Sequence, residues 1–218
     1  AVKNTVLLVI VVVPLQLVLA LALASLLGNI RRGRDIHLYV WTIPLGISDL
    51  AAGIVWLAIM SERGYVNTAL QAMGLIDGPA SWLSYETPWV LFAAVVVAEV
   101  WRATAIVLVI VVAGMQLIPK EYGEAAEVFG ATPWQPALKP SLQTALILRT
   151  ILAFEVFAVV VALGGRNLPV LVGEAYAWQN DYQNSGVASA YAVLVLAISL
   201  AVTFFYLRVL RVREETLA

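Results

Sequence analysis

Glu99 and Arg102 stand three residues apart inside one apolar run, and Asp49, Arg149 and Glu155 interrupt two others. On a helix, residues three apart share a face, so Glu99 and Arg102 can pair within their own segment. An ionisable group in apolar surroundings costs several kcal/mol and normally faces protein or water. Three kinds of chemistry fit such a set. The charges can neutralise one another at helix interfaces, they can line a path for a polar solute, or carboxylates such as Asp49, Glu99 and Glu155 can relay protons. Trp101, next to Arg102, adds an aromatic face to the same turn.

Other chemistries are thinly supplied. The chain has no cysteine and a single histidine, His37, which argues against thiolate or imidazole metal centres. His37 lies beside a basic turn and reads as an interfacial residue. No G-x-x-x-x-G-K-[ST] phosphate loop occurs, so the chain carries no ATP-hydrolysing motif of that kind. A net charge of -1 lacks the concentrated basic face of a nucleic-acid binder. An intramembrane enzyme is disfavoured because no His, Cys or D-x-x-D motif gathers in the apolar runs.

The elements that position these groups follow from composition. Of 218 residues, 62% are hydrophobic and 12% charged, with mean hydropathy +0.91. A soluble domain carries about twice that share of charge. Five apolar segments, at 5–28, 38–60, 88–113, 141–163 and 187–207, approach or exceed the roughly 20 helical residues that cross a bilayer. They do not alternate in polarity as membrane β-strands would. The expected fold is therefore all-α: a polytopic transmembrane helical bundle forming a single domain over 1–218. Asp49, Glu99 and Glu155 lie about 16–21 Å into their segments, near mid-membrane.

The cluster Arg31-Arg32-Gly33-Arg34 follows the first apolar run, whereas a signal peptide has its positive charges ahead of a shorter core. That cluster belongs on the cytoplasmic side. Residue 1 is then outside and, by alternation, the C-terminus is cytoplasmic. Inner segments hold Arg31, Arg32, Arg34, Lys120, Lys139, Arg208, Arg211 and Arg213; outer ones hold Lys3, Arg63 and Arg166. An external start without a leader leads us to expect at least one upstream helix that has been trimmed or left out. On the outer side, "GYVNTALQAMGL" has the spacing of a short helix lying on the membrane surface. The stretch "GGRNLPVLVGEAYAWQNDYQNSG" reads as a loop with interfacial Trp and Tyr.

The cytoplasmic loop 114–140 contains "PKEYGEAAEVFGATPWQPALKP". Pro119 opens a helix with acids in its first turns, Gly130 breaks it, and Thr132-Pro133 restart a second short helix. Glu124-Ala125-Ala126 and Gly130 form E-A-A-x-x-x-G. This loop resembles that of the permease subunits of ATP-binding-cassette importers, in the binding-protein-dependent inner-membrane transport family. The resemblance extends along the chain and points to the carbohydrate, maltose-type branch, in particular to the first of its two permeases. "KNTVLLVI", "WTIPLGISDLAAGIVW", "ERGYVNTALQAMGL", "EVWRATAIVLVIVVAGMQLIPKEYGEAAEVFGA" and "ALGGRNLPVLVGEAYAWQNDYQNSGVASAYAV" all resemble segments of that branch. The chain departs from the pattern at Ala105 and Phe129, where the family has Pro and Asp, and in lacking the usual I-x-L-P ending of the loop.

The resemblance implies a type I importer permease fold whose elbow, with Glu124, Ala125, Ala126 and Gly130, is a coupling helix docked in a groove of an ATPase subunit. It implies sugar contacts at Asp49, at Trp101, Arg102 and Ala103, and loosely at Glu155. Sugar recognition needs an aromatic face for C–H stacking and acceptors for hydroxyls, which Trp, Asp and Glu supply. Implied partners are a second permease, two ATPase subunits holding ATP and Mg, an extracytoplasmic solute-binding protein, and the bilayer of a prokaryotic inner membrane. No cofactor is expected on this chain. Alternatives are an importer permease for a non-sugar solute and a proton-coupled secondary transporter.

Overall fold

Pro44 and Gly46 decide how the second apolar segment folds. Proline lacks the N–H that would continue a helix. In the computed structural model, which describes residues 1–30, 32–117 and 139–209, helix α2 (Arg34–Thr42) gives way at Ile43–Gly46 to a single 3-10 turn. Helix α3 (Asp49–Met60) then restarts, with the Ser48 side chain capping it by accepting from Ala51 N at 3.2 Å. The chain bends by 100° between Arg34–Gly46 and Asp49–Ala72, so the expected continuous span is a broken one.

Among the described residues, three helices are long and apolar enough to cross a membrane unbroken. They are α1 (Val2–Asn29), α5 (Pro88–Gln116) and the last, α9 (Ser185–Val209). The fourth apolar segment breaks like the second. Helix α6 (Lys139–Phe154) and helix α7 (Ala158–Gly164) meet at a 48° bend across residues 155–157. No proline or glycine marks that break. With each bent pair taken as one span, the described residues supply five spans and no strand.

Outside the spans, α4 (Tyr65–Ala72) forms where a surface helix is expected and ends at Gly74 with φ +68°, a left-handed conformation glycine adopts freely. Buried Asn67 holds the following loop to it. Its amide donates to the carbonyls of Ser61, Glu62 and Ala80, and its oxygen accepts from Ala80 N and Trp82 Nε1. The stretch 164–186 contains a helix not anticipated from its glycines and asparagines, α8 (Leu171–Asn180). Buried Thr5 in α1 accepts from Leu171 N at 2.9 Å, satisfying one of the free N–H groups at that helix start.

The core lies where α1, α5, α6 and α7 meet. Leu8, Val12, Leu91, Val95, Val159 and Val160 form one apolar cluster; Ala20, Leu27, Val107, Leu108 and Val111 form another. Helix α3 packs against α7 through Gly53, where an added Cβ would lie 2.7 Å from Ala162 Cβ and 3.2 Å from Val159 Cα. Only a residue without a side chain allows so close an approach.

Candidate functional site: a charge chain between broken spans

The mid-span charges are assembled from four segments. Glu99, in α5, is 1% exposed, and its Oε2 accepts from both Arg102 Nη2 and Arg149 Nη2, each at 3.2 Å. Arg149, in α6, is also 1% exposed. Its Nε donates to Gln16 Oε1 in α1, and Gln16 Nε2 donates to the Glu99 main-chain oxygen at 2.8 Å. At the other end, Arg102 Nη1 donates to Asp49 Oδ1 at 2.6 Å, on the first turn of α3. The order is Gln16, Arg149, Glu99, Arg102, Asp49. Two carboxylates and two guanidinium groups sum to zero, which is what permits these charges in an apolar surrounding.

The two ends of the chain differ. The Gln16–Arg149–Glu99 end is enclosed, whereas the Asp49 side chain is 51% exposed and Arg102 is 14% exposed. Among the described residues, Glu99 Oε1 and Arg149 Nη1 are buried with no hydrogen-bond partner. Beside them lies a small cavity of about 10 Å³ lined by Leu8, Val12, Glu99, Arg149, Ala153 and Val156.

The sequence-derived residues divide accordingly. Asp49 and Arg102 are brought into contact. Trp101 is half-buried and meets Trp56 of α3 edge to face, with ring centroids 6.0 Å apart. Consecutive residues of α5 thus both reach α3. Ala103 is fully buried in α5 and contributes packing there. Glu155 is exposed at the break between α6 and α7, with no side-chain hydrogen bond or ion pair among the described residues. Glu124, Ala125, Ala126 and Gly130 lie outside the described residues.

Gln16 is the residue that sequence reasoning passed over. The first segment reads as uncharged, yet Gln16 is the only polar side chain between Val6 and Ala24 and is fully buried. A lone amide in such a run needs a partner, because unpaired polar groups are costly there. That was the available signal.

Residues 4–211 match the binding-protein-dependent transport system inner membrane component family. The chain belongs to that family. The permease is 33% identical, over 93% of its length and 71% of the relative's, to the trehalose/maltose transport system permease protein MalF of Thermococcus litoralis. Identity is also 33% to the sulfoquinovosyl glycerol transport system permease protein SmoG of Agrobacterium fabrum, over 97% of this chain and 71% of that one. Among solved structures, a bacterial alginate ABC transporter in complex with pentasaccharide-bound periplasmic protein has a chain that superposes with TM-score 0.80. That chain is 21% identical, with 96% of the permease and 76% of its own length covered, a likeness of fold. The all-α permease fold expected from the apolar runs and the loop motif is the observed one, with two of its spans broken.

Proposed function

We propose that this permease forms, with partner subunits, the membrane path of an ATP-driven sugar importer, and that the solute meets it at the open end of the charge chain. The observation that carries this reading is the Asp49–Arg102 contact beside the Trp101–Trp56 pair, at mid-span, in a chain whose relatives include permeases named for trehalose and maltose. Trp101 offers a ring face for sugar C–H groups. Asp49 and Glu155 offer acceptors for hydroxyls, and Arg102 offers donors. Ala103 gives the packing that seats this turn of α5. Glu99 and Asp49 are both neutralised by arginine, which favours a solute-binding role over a relay of free carboxylates.

Energy comes from elsewhere in the complex. Two ATPase subunits carry ATP and Mg, a second permease completes the pathway, and an extracytoplasmic binding protein delivers the solute. Glu124, Ala125, Ala126 and Gly130 are the residues that couple the permease to an ATPase subunit. The permease lies in the inner membrane with residue 1 outside and its C-terminus in the cytoplasm, the orientation that keeps arginine-rich turns inside.

The test is reconstitution. The complete complex in liposomes should take up labelled sugar only with ATP and the loaded binding protein. Uptake by this chain alone, dissipated by an uncoupler, would replace the reading with a secondary transporter.

A further inference from the structure

One oxygen of Glu99 serves two arginines, and that sharing has a consequence. Glu99 Oε2 stands 3.2 Å from Arg102 Nη2 and 3.2 Å from Arg149 Nη2, both long for charge-assisted contacts. Arg102 instead makes its short contact, 2.6 Å, with Asp49 on another helix. Left to themselves, Glu99 and Arg102 are well placed to close on each other, being three residues apart on one helix in surroundings of low dielectric. What competes with that closure is the second cation. Arg149 is locked in place: Gln16 takes its Nε, and Gln16 is itself fixed by its bond to the Glu99 main chain.

We propose that Arg149, held by Gln16, is a positioning residue that keeps Glu99 from capturing Arg102 and so directs the Arg102 guanidinium outward to Asp49. Resting on the solute site described above, this names a residue that touches no solute yet sets the donor the solute meets. The groups facing Arg149 are Glu99 from α5 and Gln16 from α1, with apolar Leu8, Val12, Ala153 and Val156 around the adjoining cavity. Arg149 and Asp49 therefore act on Arg102 from opposite ends.

A suppressor experiment tests this on the complete transporter. Arg149→Gln removes the competing charge without stranding a buried one, because Glu99 still has Arg102. Glu99 then draws Arg102 inward, the structure of the variant complex shows the Asp49 contact opened beyond hydrogen-bonding distance, and KM for sugar rises about tenfold, the value of one hydrogen bond to a charged group. Adding Glu99→Gln should undo the damage, since nothing is left to capture Arg102, and return KM to within about threefold of the unmodified transporter. A merely structural role for Arg149 makes the double variant at least as poor as the single one, and that result overturns the proposal. So does an Arg102–Asp49 contact that persists in Arg149→Gln. If Arg149→Gln does not assemble, the double variant, which leaves no buried charge unpaired, decides by its KM alone. Asp49→Asn with an unaltered KM would refute the solute-site reading instead, while the position of Arg102 in the Arg149→Gln structure still decides this one.

Discussion

Arg102 and Asp49, 53 residues apart in sequence, meet at 2.6 Å and join the long helix α5 to the restart of the second span. The contact exists because Pro44 and Gly46 end α2 and let α3 begin with Asp49 on its first turn. There the carboxylate faces the positive end of the helix dipole as well as the guanidinium.

Because Asp49 is half-exposed, this ion pair contributes little to stability, about 1 kcal/mol or less. Arg102→Ala is expected to leave assembly and basal ATP hydrolysis of the complex near normal, since Glu99 keeps Arg149. Sugar uptake should fall at least tenfold, about the effect of losing one charged hydrogen bond. Size-exclusion chromatography with uptake assays checks both halves; loss of assembly would show that the pair is a structural tie.

Glu99→Leu should behave oppositely. It strands Arg149 in the core and takes away one of Arg102's two carboxylate partners, and removing one member of a buried pair costs about 3–5 kcal/mol. A large fall in the thermal midpoint of the purified complex is expected, with poor recovery. An unchanged midpoint would mean that water reaches this end of the chain.

Much of this was legible in advance. Apolar runs gave the spans, the basic turn after α1 their expected direction, and "GYVNTALQAMGL" the surface helix. Helix, charge and loop motif are local properties. The charge chain is not, because Gln16, Arg149 and Glu99 come from three segments and only packing brings them together. The first break announces itself through Pro44 and Gly46. The second, at 155–157, has neither residue. Helix α8 was missed for the converse reason: its flanking Gly and Asn residues masked a short helix whose first turn is tied to Thr5, 166 residues away.

Gly53→Leu should separate α3 from α7, because even a Cβ there lies 2.7 Å from Ala162 Cβ. Overpacking of this kind costs about 1–3 kcal/mol. The complex should lose thermal stability, and Ala162→Gly should recover part of it. Absence of any recovery would argue that the clash with the Val159 backbone dominates.

For the proposed coupling residues, Gly130→Pro and Glu124→Lys are each expected to abolish uptake while sparing sugar binding. Cysteines introduced at Ala126 and in the ATPase groove should crosslink. A transport-competent complex that gives no crosslink in any nucleotide state would remove this stretch from the coupling role.

The most direct measurement is ATP-driven uptake of a labelled sugar panel by the reconstituted complex and by its Asp49→Ala, Trp101→Ala and Glu155→Ala variants. The unmodified complex should accumulate at least one sugar. Each variant should import it several-fold more slowly with assembly and basal ATP hydrolysis intact. Import at the normal rate by all three variants would contradict a solute site at the open end of the charge chain.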